Sequence, residues 1–479
     1  MPKLRDIALR RLASLTPKYL PFADVATDDV PLSRLLRLSL FQVTVGMALV
    51  LLIGTLNRVM IVELSVPATL VAGMLALPLI FAPFRTLIGF KSDTHRSALG
   101  WRRAPYIWKG TLYQFGGFAI MPFALLVLSG YGEAIDAPRW IGLSAAALAF
   151  LLVGAGVHMV QTVGLALATD LVKDEDHPKV VGLMYVMLLV GMVISAIVYG
   201  ALLTNYTPGR LIQVIQGSAV VTVALNLTAL WKQEARDRTR AREMETAKHE
   251  RFSVAWRALT NRPGAKPLLV LIGLGTFGFG MADVLLEPYG GQTLGFSVAQ
   301  TTLLTAIFAA GTLIGFAIAS KALSAGSAPL QLAAMGAAVG IPGFLAIILS
   351  SVALGPALFV AGTLFVGLGA GLFGHATLTA TITDAPAGRV GLSIGAWGAV
   401  QATCAGTGVL LAGIVRDVLV GLSPATGLSA QTPYNIVFGI EIAFLVATVA
   451  VALPMLMKSG RRPKAKREPV PQNNPVEVS

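Results

Sequence analysis

TLIGFKSDTHRSALGWRR, residues 86–103, decides the architecture. An apolar run stops there and gives way to a turn carrying Lys91, Arg96, Arg102 and Arg103. The first five letters, TLIGF, return at Thr312–Phe316, where they again close an apolar run. Two copies of one pentapeptide in the same position of two distant segments point to a chain built by internal duplication.

The composition says what kind of segments are duplicated. Of 479 residues, 55% are hydrophobic and 13% charged, with a mean hydropathy of +0.73. A soluble chain carries about 25% charged residues, so this is a polytopic membrane protein. A span needs about 20 apolar residues. Twelve segments qualify: 36–62, 66–90, 104–128, 139–169, 180–204, 210–231, 267–289, 298–322, 329–351, 354–382, 390–418 and 434–457. Pro78, Pro83, Pro122 and Pro342 fall inside spans, where neighbouring helices satisfy the freed carbonyls. The 50 glycines suit close helix packing in lipid.

Charge orients the spans. With the N-terminus cytoplasmic, 33 of the 37 Lys and Arg residues fall on the cytoplasmic side, and Arg58, Arg139, Arg210 and Arg416 fall on the other. Both termini are therefore expected in the cytoplasm. The net charge of +13 becomes the positive-inside signal plus attraction to anionic lipid, with no need for a nucleic-acid partner. Residues 1–34 form a cytoplasmic segment whose Leu4, Ile7, Ala8, Leu12 and Leu15 share one helical face, an interfacial amphipathic helix. Residues 35–231 and 267–457 form two six-helix halves. A charged linker, 232–266, joins them, and 458–479 is a cytoplasmic tail. Cys404, the single cysteine, excludes an internal disulfide and a Cys-based metal site.

The repeat extends beyond TLIGF. Val181–Leu183 (VGL) opens the fifth span and Val390–Leu392 the eleventh. Thr169-Asp170 closes the fourth and Thr383-Asp384 the tenth. Matches in the same order through two halves are the mark of the major facilitator architecture. The fold expected is all-α, with twelve transmembrane helices in two pseudo-symmetric halves. Gly89-x-x-x-Asp93 followed by Gly100-x-Arg102-Arg103 resembles that superfamily's loop 2–3 signature, although the stretch is about four residues longer here. Gly89, Asp93, Arg96, Arg102, Arg103 and Asp170 are expected to form a cytoplasmic network, in which Asp170 pairs with one of the arginines.

Three stretches are more specific: GTLNRVMIVELSVPATLVAG (54–73), SDTHRSALGWRRAPYIWKGTLYQFGGFAIMPFALL (92–126) and GLALATDLVKDEDHPKVVGLMYVMLLVGM (164–192). They resemble the PucC/LhaA-like light-harvesting assembly proteins, the bacteriochlorophyll delivery family within the major facilitator superfamily. The resemblance runs from about Pro21 to the last span. It implies an assembly factor in the cytoplasmic (intracytoplasmic) membrane of a phototrophic bacterium. Bacteriochlorophyll a would be its cargo. Its partners would be membrane lipid and antenna α and β polypeptides, with a reaction centre, a pigment synthase or a second copy of the chain as further candidates. PFAD…PLSRLLRLSLFQVTVGMA leans toward the LH1-type member over the LH2-type one.

Polar groups inside lipid need a reason. His158 and His375 lie in corresponding spans, the fourth and tenth, and neutral imidazole is a good axial ligand for a chlorin magnesium. Gly367, Gly369, Gly371 and Gly374 are expected to leave room for a flat macrocycle beside His375. Gln161 is grouped with the two histidines as a candidate pigment contact, or else is their hydrogen-bond partner. The alternative is that both histidines hydrogen-bond within a glycine-packed bundle. Arg58 and Glu63 close the first span, and Asp283 and Glu287 close the seventh. We expect Arg58 to pair with Asp283 across the pseudo-twofold near the periplasmic side. Asp283 as a proton-coupling carboxylate is the alternative. Glu441 is expected to lie near enough to the periplasmic face for hydration. There is no phosphate loop, no Ser/His/Asp or Cys/His nucleophile set and no His-x-x-x-His pair, so an enzyme reading has no site, and no metal is expected beyond a pigment's magnesium. The competing functions are a secondary transporter of a small solute and an assembly scaffold that never touches pigment.

Overall fold

The computed structural model describes residues 26–27, 30–80, 88, 92, 101–130, 134, 136–173, 176–234, 261–262, 264–351, 355–385 and 390–460. The expected N-terminal interfacial helix, Gly89, Asp93, Arg96, most of the linker and the far tail lie outside the described residues. So does most of the second span beyond Ile80.

Among the described residues the chain is helical throughout, with no strand. The helices are α1 (Leu32–Glu63), α2 (Ala68–Ile80), α3 (Ala104–Ser129), α4 (Arg139–Asp170), α5 (His177–Leu202), α6 (Pro208–Leu230), α7 (Ala265–Leu294), α8 (Val298–Ser324), α9 (Pro329–Leu349), α10 (Gly355–Thr383), α11 (Val390–Thr426) and α12 (Thr432–Gly460). Eleven of them are long and apolar enough to cross a membrane, and α2 is a shorter apolar helix over its described part.

Helix packing repeats on adding six. In the first half α3 lies on α4 and α6, α1 on α5 and α6, and α2 on α4. In the second, α9 lies on α10 and α12, α7 on α11 and α12, and α8 on α10. Across the halves α2 packs on α11 and α5 on α8, again counterparts. Glycine makes the tightest contacts in both halves. A Cβ on Gly156 of α4 would lie 2.5 Å from the carbonyl oxygen of Gly110 on α3, and one on Gly369 of α10 would lie 2.7 Å from that of Gly336 on α9. Lipid offers no hydrophobic drive between helices, so association depends on such close backbone approach. The second TLIGF copy does the same, with Gly315 against the backbone of Leu368.

Two helices depart from regular α geometry. In α1 the stretches Val50–Leu56 and Val59–Glu63 are π-helical. The hydroxyl of Thr55 donates to the carbonyl of Val50, five residues back, at 3.4 Å. In α7 the α-helix is interrupted at Met281, between Ala265–Gly280 and Ala282–Leu294. These two helices meet across the two halves.

Candidate functional site

Three groups of polar residues are candidates: a charged cluster at the basic end, the two intramembrane histidines, and the seam where α1 meets α7 and α8.

At the basic end, α3 begins just after Arg102-Arg103 with Pro105 in its first turn. That leaves several backbone N–H groups without helical acceptors. The carboxylate of Glu234 takes them, accepting from the backbone of Arg102 at 2.6 Å, Arg103 at 2.9 Å and Ala104 at 2.8 Å. Asp170 at the end of α4 accepts from the guanidinium of Arg102 at 3.0 Å and from that of Arg103 at 3.1 Å. Arg103 also donates to the hydroxyl of Ser92 at 2.7 Å. Gln233 is buried and joined to Arg34, whose guanidinium donates to its carbonyl at 3.0 Å. The solvated linker expected from residue 232 therefore starts later, because Gln233 and Glu234 are docked on the first half. A helix start without a capping side chain of its own was the signal that such an acceptor was needed.

The histidines are kept apart. His158 is on α4, which packs on α1, α2, α3 and α5, and His375 is on α10, which packs on α7, α8, α9 and α11. Both are half-buried, as is Gln161 one turn beyond His158. The His375 ring lies 4.0 Å from the buried ring of Phe316, tilted by 40°. The room expected around it is largely taken. Gly367 meets the backbone of Phe308, Gly371 that of Thr312, and Gly369 that of Gly336 and Gly340. Gly374 alone of the four stays open, with nothing within 4 Å of a Cβ placed there. The three others hold helices together instead of admitting a ring.

The seam corrects the expected charge pair. The Arg58 side chain, 4% exposed, pairs with Glu63 on its own helix and donates to the carbonyl of Phe296 at 3.0 Å. Its guanidinium covers Gly291, two turns beyond Asp283 along α7. At 1.5 Å per residue that separation is too long for the pairing with Asp283. Asn57, which the sequence reading passed over, reaches α7 instead and donates to the carbonyls of Asp283 at 3.3 Å and Val284 at 3.1 Å. Thr55 bonds Thr302 of α8 at 3.2 Å, and Gly54 lies against Thr305. Nearer the same end, the carboxylate of Asp417 on α11 accepts from the backbone N–H of Thr69 at the start of α2, at 2.7 Å.

Behind this seam lies a cavity of about 40 Å³ lined by Ile53, Met192, Asp283, Glu287, Thr305 and Phe308. Thr305 donates to Glu287 at 3.0 Å. Glu441 of α12 is 0% exposed, not hydrated as expected. Its carboxylate approaches the backbone of Ala282, yet neither oxygen makes a hydrogen bond of acceptable geometry. It is buried because α12 packs directly on α7. Among the described residues no group of three or more His, Cys, Asp or Glu is arranged to hold a metal ion.

Comparison with known proteins places the chain. The pattern that defines the family described as "PUCC protein" matches residues 55–460, which takes in the seam, both histidines and the Glu234 clamp. The chain belongs to the PUCC protein family. Two relatives named Protein PucC match along most of the length. The one from Rhodobacter capsulatus is 69% identical over 95% of this chain and 99% of its own. The one from Rhodovulum sulfidophilum is 60% identical over 91% and 96%. A more distant relative, from Rhodobacter capsulatus, is named Bacteriochlorophyll synthase 44.5 kDa chain and is 26% identical over 89% of this chain and 96% of its own. Among solved structures, a bacterial homologue of the lysosomal transporter Spinster superposes with a TM-score of 0.66. It is 15% identical and covers 90% of this chain and 98% of its own. At that identity the likeness concerns the fold: this PUCC family member is a multi-pass protein of the bacterial cytoplasmic membrane with a major facilitator architecture.

Proposed function

We propose that the chain is a non-enzymatic assembly factor for a light-harvesting antenna complex and that bacteriochlorophyll is its cargo. The observation that carries the reading is the match to PUCC proteins over nearly the full chain. The name of the 26% identical relative, which mentions bacteriochlorophyll, supports the choice of cargo. The interior favours one mode of handling over another. A cavity of about 40 Å³ accepts one or two waters and no macrocycle, so the pigment is held at the lipid-facing surface or between helices that part.

His375 is the residue best placed to orient it. Its imidazole is half-buried beside the tilted Phe316 ring, and the open flank at Gly374 leaves space on one side of α10. An axial nitrogen would fix the ring centre, and the apolar surfaces of α8 and α10 would cover the ring. Antenna polypeptides and membrane lipid are the partners this reading requires. The comparisons carry no preference between LH1-type and LH2-type clients.

The test is the absorption spectrum of the protein purified gently from pigment-making cells that lack antenna polypeptides. The reading expects a near-infrared pigment band in proportion to protein, and His375→Ala should weaken or shift it more than His158→Ala does. A colourless, folded protein from the same cells would discard pigment handling. Antenna assembly in cells carrying His375→Ala, followed at the LH1-type and LH2-type bands separately, identifies the client. A transporter reading draws on the fold and on the buried carboxylates of α7. Solute-dependent uptake by vesicles holding the purified protein would favour it.

A further inference from the structure

The three carboxylates behind the seam stand apart from everything proposed for pigment. Asp283 and Glu287 are one turn apart on α7 and both line the cavity. Glu441 reaches α7 from α12 at the point where the α7 helix is interrupted. Glu441 is 0% exposed and Glu287 3%. Both oxygens of Glu441, Oε2 of Glu287 and Oδ1 of the fully buried Asn57 have no hydrogen-bond partner. Three ionised carboxylates at such a place in lipid would need cations beside them.

The groups that face the cluster supply none. From α1 come Asn57, which donates to α7 carbonyls, and Arg58, whose guanidinium is committed to Glu63 and the Phe296 carbonyl. From α8 comes the hydroxyl of Thr305, and from α5 Met192. On α11, Arg416 is paired with Asp417 at 2.8 Å and bonded to Gln292 at 2.9 Å. On α12, Tyr434 donates to Gln292 at 2.6 Å. The acids therefore have oxygens around them and no cation among the described residues.

We infer that Asp283, Glu287 and Glu441 form a proton-binding site in the seam between the two halves, loaded when the seam is closed and emptied as it opens. The oxygens left without donors are the places where carboxylic O–H groups would sit. A proton on Glu287 can be given to a water in the cavity that Glu287 lines. Loss of the protons would leave like charges one turn apart on α7 and beside the break in that helix. Water would have to enter, and the contacts that Asn57, Thr55 and Gly54 make across the seam would part to admit it.

The test uses the whole protein in lipid nanodiscs. Infrared spectra should show the carbonyl stretch of neutral carboxylic acids at about pH 7, and Asp283→Asn, Glu287→Gln and Glu441→Gln should each remove part of it. Absence of that band from the folded wild type overturns the site. So does a band that all three substitutions together leave intact, or one lost on adding sodium at constant pH, which would assign the oxygens to a metal cation. The coupling to the seam has its own readout, which needs no variant of the acids. Spin labels at Leu70→Cys on α2 and Val418→Cys on α11, with Cys404→Ser, report the distance between the halves. Raising the pH from about 6 to about 9 should lengthen that distance, and Glu287→Gln with Glu441→Gln should hold it short. A distance that does not respond to pH in the labelled protein overturns the coupling.

Discussion

The two ends of the molecule use charge in different ways. At the basic end, Glu234 and Asp170 tie helices of the first half to one another: α6 to α3 through backbone N–H groups, and α4 to α3 through Arg102 and Arg103. At the other end, Asp417 ties α11 to α2 and Arg58 ties α1 to the segment after α7, so that charge joins one half to the other. The first arrangement makes a half rigid. The second makes a contact that can be broken without unfolding either half. The difference teaches that the many basic residues at one end and the few at the other are not the same feature diluted. One set braces a half, and the other latches a seam.

Perturbing one end should leave the other's signature untouched. Glu234→Ala is the strongest break. It removes the acceptor of three backbone N–H groups at the start of α3, and it should lower stability by about 2–3 kcal/mol. Thermal unfolding in detergent should show this while the distance between labels on α2 and α11 stays constant. Gly413→Val acts at the seam instead. A Cβ there would lie 2.8 Å from the Ala68 carbonyl oxygen, and overpacking of about 1–3 kcal/mol should appear chiefly as a longer α2–α11 distance. A constant distance would show that Gly413 packs within a rigid unit.

Asp417→Ala removes the cap from the start of α2 and should weaken the seam by about 1 kcal/mol, in the same direction as Gly413→Val and by less. Equal distances in Asp417→Ala and wild type would remove the latch from the comparison. The smallest effect concerns Tyr206, in the turn between α5 and α6. Burial, with Glu63 adding to it and Arg58 opposing it, pushes its phenol up to about 12. The unfolded phenol ionises near 10. The contribution of the neutral side chain is therefore complete below about pH 10 and lost as the pH rises toward 12. An absorbance titration of wild type against Tyr206→Phe checks this.

Much of the architecture was legible in the chain. Apolar segment lengths and the order of the TLIGF, VGL and Thr-Asp matches give twelve spans in two related halves, and the structure has twelve helices packed in two related halves, eleven of them of spanning length over their described residues. The GTLNRVMIVEL and SDTHRSALGWRR stretches led to the right family. The partners of individual residues were not legible. Sequence spacing puts Asp283, Glu287 and Arg58 at one depth, yet α1 is π-helical on both sides of Arg58. Residues in a helix bonded from i to i+5 point in directions that counting at 3.6 per turn does not give. Distance from a span end puts Glu441 near water, and its burial depends on α12 lying against α7. Glu234 was hidden in a charged run that composition assigns to solvent. Around His375 the glycines suggested space, and neighbouring backbones filled most of it.

By itself the sequence determined the membrane class, the span count, the duplication and the family, because hydropathy, residue type and repeat order are sums along the chain that survive any rotation of the helices. The tertiary structure alone decided that Arg58 turns to Glu63, that Glu234 caps a helix over a hundred residues earlier, and that three carboxylates gather with no cation beside them among the described residues. Each of these depends on helix rotation and on which helix lies opposite, and those are fixed by glycine contacts and by local departures from α geometry far apart in the chain.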